Sequence, residues 1–125
     1  MAHSGPGYAR NPSHTIQLSR TGERVVVTFD GEVIADTTSA VRLQEARYPA
    51  VYYVPREDVR MERLVPTSHH TYCPFKGDAS YFTLTGRRNA ENAVWSYESP
   101  YDEVTDIKGY LAFYPDRVDS LTITG

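Results

Sequence analysis

The sequence predicts an all-β domain, and three observations carry that prediction. Apolar and polar residues alternate over short runs, β-branched and aromatic residues dominate those runs, and Gly, Pro, Asn and Asp punctuate them. The expected architecture is one compact unit of about eight short strands in a bent two-sheet or barrel-like arrangement, with at most one or two short helical turns. With 125 residues, folding buries roughly two thirds of the surface the unfolded chain exposes, enough for one real core.

Taken in order, residues 1–14 read as a flexible N-terminal arm, polar and broken by Gly5, Pro6, Gly7 and Pro12, without the basic and apolar regions of a signal peptide. The domain proper is expected over 15–125. Residues 15–19 alternate Ile16 and Leu18 with polar neighbours. The strongest local signal follows: Val25-Val26-Val27-Thr28-Phe29 and Glu32-Val33-Ile34-Ala35 flank Asp30-Gly31, the pair favoured in a type I′ hairpin because both positions need φ > 0. Val41 and Leu43 alternate likewise. Ala50-Val51-Tyr52-Tyr53-Val54 is a strand that Pro55 ends, and 57–64, with Val59, Met61 and Leu64 among charges, reads as one or two helical turns with a solvated face. Residues 68–77 are polar and irregular and are expected to form a loop. Residues 79–85 and 90–97 read as strands around a turn at 86–89, with Trp95 and Tyr97 on one face. Gly109-Tyr110-Leu111-Ala112-Phe113-Tyr114 and 120–124 complete the set.

Composition narrows the function. The 13 Lys and Arg are scattered and the net charge is −3, so no nucleic-acid partner is expected. No apolar run approaches about 18 residues, so no membrane partner is expected either. Cys73 is the one cysteine. It excludes an internal disulfide or a zinc site with several thiolates and points to a reducing, cytoplasmic location.

Three blocks together resemble a known family: Tyr53-Val54-Pro55-Arg56-Glu57-Asp58-Val59 with Met61; Cys73-Pro74-Phe75-Lys76-Gly77-Asp78-Ala79-Ser80-Tyr81; and Ala93-Val94-Trp95-Ser96-Tyr97 followed by the 109–114 run. Across about residues 25–118 they are similar to the domain of unknown function 427 family. The resemblance implies a mainly β, β-tent-like fold and no established reaction. A nucleotidyltransferase-like label attached to that family finds little support in the residues. The chain has no Asp-x-Asp pair to hold Mg²⁺, and Lys76-Gly77 lacks the earlier glycine and following Ser/Thr of a P-loop.

Three constellations compete for a function. His69, His70 and Cys73 have spacings that can meet one metal, with Asp78 or His14 as a fourth ligand, but a packed loop accounts for them better and no metal or other cofactor is assigned. Cys73 can be a nucleophile, activated by His70 or His69 and by the field of Lys76, which makes Cys73, His70 and Lys76 the catalytic candidates. Tyr53, Arg56, His70, Lys76, Trp95 and Tyr97 can line a pocket for a small anionic or planar ligand, Arg56 offering a fork and Trp95 a stacking face. Against this, the aromatics suit half-buried strands and Arg56 has Glu57 and Asp58 to pair with. Asp102, Glu103 and Asp106 fall in a loop beside Pro100 and suit solvent better than acid-base work. The leading expectation is a binding domain with a pocket around residues 53–76. The alternatives are an enzyme using Cys73 and histidine, and an interaction module, a homodimer hiding an edge strand such as 90–97, with no ligand.

Overall fold

The computed structural model describes residues 3–125; the expected flexibility of Met1 and Ala2 lies outside the described residues. Among those described, ten strands form: β1 (Ile16–Ser19), β2 (Arg24–Phe29), β3 (Glu32–Thr37), β4 (Val41–Glu45), β5 (Val51–Tyr53), β6 (Leu64–Cys73), β7 (Gly77–Leu84), β8 (Ala90–Ser96), β9 (Ala112–Phe113) and β10 (Ser120–Thr124). Helix is limited to α1 (Gly7–Arg10) and to 3-10 turns, two of which, Arg56–Asp58 and Met61–Arg63, occupy the segment expected to turn. The all-β expectation holds, with ten strands in three sheets and no closed barrel.

The Asp30-Gly31 hairpin forms as its chemistry requires, with φ of 54° and 77° at the two turn residues and Phe29 paired with Glu32. It builds the sheet β10-β2-β3. The other sheets are β1-β4-β5 and β6-β7-β8-β9. They are joined edge to edge by Val54 and Leu111, each of which donates its N–H to the other's carbonyl at 2.8 Å. The result is one antiparallel surface in the order β1-β4-β5-β9-β8-β7-β6.

That surface has two apolar faces because its strands alternate. Val54, Val94, Leu111 and Phe113 lie in a cluster with Val25, Val27, Phe29 and Ile34 of the β10-β2-β3 sheet. The residues in the opposite phase, Val41, Leu43, Tyr53, Ala79, Tyr81, Tyr97 and Ala112, form a second cluster among themselves. Val104 and Ile107, from the 3-10 segment Asp102–Ile107, are packed into that second cluster. The second face is therefore the inside of a curl. A flat sheet would put β4 and β7, four spacings apart, about 19 Å from each other, yet Glu45 at the end of β4 accepts a hydrogen bond from Lys76 in the β6–β7 turn at 2.5 Å.

Two expectations are corrected. Residues 68–73 are strand, not loop: β6 runs to Cys73 and the turn is only Pro74, Phe75 and Lys76 before β7 starts at Gly77. β6 is an outer strand whose side chains are mostly exposed, so it lacks the apolar alternation that marks a strand in sequence. The segment 90–97 is not an edge either, since β8 lies between β7 and β9.

From His3 onward the N-terminal segment packs on the β6–β7 turn. Gly7 donates its N–H to Pro74 O at 3.0 Å, and a Cβ there would meet the Phe75 ring at 2.8 Å, so glycine is needed for this close approach. Gly5 N donates to Glu103 Oε1 at 3.0 Å.

Leu111 is fully buried at the seam between the sheets. Leu111→Ala is expected to cost about 2–5 kcal/mol, seen in urea denaturation as a lower midpoint with an unchanged slope. A loss under about 1 kcal/mol would mean the seam is not integral to the core.

Candidate functional site

The inner face of the curl gathers more chemistry than any other part of the molecule. Strand alternation points Tyr53 from β5, Tyr81 from β7, Trp95 from β8 and Tyr97 just beyond it to the same side, with Tyr114 after β9. Trp95 Nε1 donates to the Tyr53 hydroxyl at 3.3 Å. The two rings meet edge to face, and the Tyr97 ring lies 6.4 Å from that of Tyr53. The Tyr81 hydroxyl bonds Thr71 Oγ1 at 2.9 Å. Burial pushes the Tyr114 phenol up to about 12, with Tyr81 adding to the shift. Tyr53 and Tyr97 are pushed above their ordinary value, chiefly by burial and further by Cys73, Tyr81 and Glu45. These phenols therefore stay protonated donors across the physiological range.

One end of the face closes on a charged knot. Glu45 takes Lys76 on Oε1 and His14 on Oε2 at 2.8 Å, all three side chains being mostly buried. His14 stacks on Phe75 at 4.0 Å. Burial alone would raise the Glu45 carboxyl, but the hydrogen bonds and charges of Lys76 and His14 outweigh it and hold the group below its ordinary value. Cys73 is partly buried at the same end.

Beside the start of β5, the end of β9 and the strand β10, a groove of about 510 Å³ opens. Tyr48, Tyr52, Trp95, Phe113 and Tyr114 line it, with Ile123 among its remaining walls. Two of its aromatic residues have polar neighbours: the Tyr52 hydroxyl donates to Glu23 Oε1 at 3.0 Å, and the Arg117 guanidinium lies 4.6 Å from the Tyr114 ring centre. Trp95 belongs to both places, its indole N–H turned to Tyr53 and its ring walling the groove.

The residues singled out from sequence divide between two faces. Tyr53, Trp95 and Tyr97 converge on the inner face, and Lys76 and Cys73 sit at its charged end. Arg56 and His70 do not join them. Arg56 donates Nε to Gly109 O at 3.1 Å and pairs with Glu98 at 2.7 Å, not with Glu57 or Asp58; Asp58 instead accepts the Thr37 hydroxyl. His70 lines an outer groove of about 400 Å³ with Asp78, Ser80 and Glu98. The spacing from 70 to 73 on one strand puts His70 on the opposite face from Cys73. His69 lies on the inner side, its ring 4.5 Å from that of Tyr81. Among the described residues, no three His, Cys, Asp or Glu side chains are arranged to hold a metal.

Sequence reading missed Glu45, Tyr81 and Tyr114. A signal for them existed. Glu45 is in phase with Val41 and Leu43, Tyr81 with Ala79, and Tyr114 with Ala112, so alternation alone aims all three at the interior.

Fold and site together define a small β domain with an aromatic, tyrosine-rich interior and a charged knot at one end. The chain belongs to the family described as Domain of unknown function (DUF427), whose model matches residues 17–124. No curated protein matches it, and no helix among the described residues is long and apolar enough to cross a membrane.

Because the folded-state value of Glu45 is lowered, its contribution to stability is present above the ordinary 4.5 and is lost as pH falls through the lowered value. Glu45→Gln is expected to be less stable than the wild type at neutral pH, with the gap closing as the pH is taken below 4.5. Urea denaturation of both proteins over that range checks this. A gap that does not change with pH would mean that the ion pairs are not what Glu45 contributes.

Proposed function

We propose that this domain binds a small planar molecule, with an anionic edge accommodated, in the aromatic groove walled by Trp95. The observation that carries the reading is the groove of about 510 Å³ with five aromatic side chains, a volume within the roughly 300–1,000 Å³ typical of small-molecule sites. Flat rings favour a flat ligand through offset or edge stacking. Arg117, held beside Tyr114 by hydrogen bonds to the carbonyls of Glu91 and Asn92, supplies a fixed cation at the rim for a carboxylate or similar group. The indole of Trp95 is braced from behind by Tyr53, so little ordering is needed when a ligand arrives. The unpaired Cys73 suits a reducing compartment, where we place the protein.

The interaction-module reading draws support from β6, an outer strand of the four-stranded sheet that exposes Val65 and Tyr72 by 50% and 55% and carries no Lys, Asp or Glu, its edge being interrupted only at Pro66 and the irregularity that follows it. A protein that sediments as a monomer at micromolar concentrations removes it.

Isothermal titration calorimetry with 2-naphthoate tests the groove. Trp95→Ala and the rim substitution Ile123→Lys are each expected to weaken binding about tenfold or more, the equivalent of roughly 1.4 kcal/mol. Equal affinity in the wild type and both variants would sink the proposal, as would no heat of binding by the wild type.

A further inference from the structure

The face of the four-stranded sheet that carries the paired Phe82 and Val94 into the core turns polar two residues further along. There His70 of β6, Ser80 of β7 and Ser96 of β8 stand opposite one another in the pairing register, which sets neighbouring Cβ atoms about 5 Å apart. Asp78 is in phase with Ser80, and its partner across the ladder, Tyr72, with His70. The groove of about 400 Å³ over this patch is lined by His70, Asp78, Ser80, Glu98 and Ser99. At Ser99 it meets a second groove of about 340 Å³, whose walls include Pro100, Tyr101, Asp102 and Lys108. Two features here are fixed in place. The Glu98 carboxylate is clamped, one oxygen by Arg56 at 2.7 Å and the other by the hydroxyl of the fully buried Ser96 at 3.1 Å. Arg56 is held in turn by Gly109 O and lies over the Phe82 ring. An ion pair this exposed adds little to stability; what the clamp supplies is a carboxylate of fixed direction in the groove wall. The Tyr72 and Tyr101 hydroxyls bond each other at 2.7 Å with their rings edge to face, so two aromatic rings are held still beside the grooves.

We propose that these joined grooves bind a neutral disaccharide. The lining decides the class of ligand. Among the described residues no Lys, Arg or apolar side chain lines the first groove. An anion would meet Asp78 and Glu98 there without a counter-charge, and a flat apolar molecule would find nothing to cover it. A small cation is disfavoured by Lys108 in the second groove, and no three His, Cys, Asp or Glu side chains among the described residues are arranged for a metal ion. A sugar hydroxyl both donates and accepts, and the two grooves offer the matching mixture: carboxylates that accept, Lys108 that donates, and the hydroxyls of Ser80, Ser99 and Thr105 that do either. The C–H face of a sugar ring needs a flat apolar surface beside these polar groups, which the Tyr72–Tyr101 pair and Pro100 supply. The site lies on the opposite side of the sheet from Trp95 and stands or falls independently of the aromatic groove.

The test is a titration followed by backbone amide NMR shifts, with cellobiose, maltose, lactose, sucrose, trehalose and chitobiose as probes at millimolar concentrations and putrescine as the cationic control. At least one of the sugars is expected to move the resonances of residues 70–80 and 96–105. Asp78 and Tyr72 are exposed, so Asp78→Asn and Tyr72→Ala are expected to melt close to the wild type. Asp78→Asn is expected to bind that sugar about tenfold more weakly, the worth of a charge-assisted hydrogen bond. Tyr72→Ala is expected to weaken it about three- to tenfold through loss of the ring surface. Ile123→Lys, in the aromatic groove, leaves sugar binding intact. Three outcomes overturn the proposal: no shift with any of the sugars, undiminished binding by either groove variant, or putrescine moving the same resonances at lower concentrations than every sugar, which would make this a site for amines. Loss of 2-naphthoate binding in Ile123→Lys with sugar binding retained supports two separate sites, and sugar binding lost in that variant would place the sugar in the aromatic groove and overturn this one.

Discussion

The reciprocal hydrogen bonds between Val54 and Leu111 turn two three- and four-stranded sheets into one continuous surface, and the positions of both cores and of the candidate site follow from that join. Because side chains alternate across it, the residue before the join on one side, Tyr53, and the residue after it on the other, Ala112, share an inner face, while Val54 and Leu111 themselves face the β10-β2-β3 sheet. The join is short, two hydrogen bonds and a two-residue β9. It is held by burial: Val54, Leu111 and Ala112 have no exposed surface, and water cannot compete for their backbone groups.

Curling brings together groups that a flat sheet would keep apart, and this gives the interior its polarity. Glu45 reaches Lys76 across the curl and His14 from the N-terminal segment, so one carboxylate ties down the end of β4, the β6–β7 turn and the chain entering β1. A buried ion pair of this kind is seldom a large net source of stability, because desolvation offsets the attraction. What it does here is set geometry and field. It draws the curl closed at one end, and the Glu45 charge adds to the burial that raises the Tyr53 and Tyr97 phenols.

Much of this was readable in the chain. The Asp30-Gly31 hairpin, the strands at 16–19 and 120–124, the turns at 56–63 and the shared face of Trp95 and Tyr97 all come from local rules that tertiary contacts reinforce. The readings that failed were the ones in which local chemistry and tertiary role part company. Residues 68–73 look like a loop because an outer strand with both faces partly wet has no apolar period to display, and His69 and His70 look like a pair because sequence adjacency hides the fact that neighbouring strand residues point to opposite faces. Arg56 was read as a fork for a ligand or as a partner of Glu57 or Asp58, whereas its carboxylate partner, Glu98, lies 42 positions away, beyond any local rule.

By itself, then, the sequence determined the fold class, the places where the chain turns and which residues share a phase along each strand, because these depend on φ/ψ preferences and on a period of two that operates within a few residues. Tertiary structure alone decided that the sheets meet at Val54 and Leu111, that Glu45 becomes the hub of a charged knot, and that Tyr53 meets Trp95 and Tyr97 on the inner face. Those outcomes rest on strand order and sheet curvature, which are set by long-range backbone pairing and by packing of both faces at once, and neither leaves a mark on any short stretch of the chain.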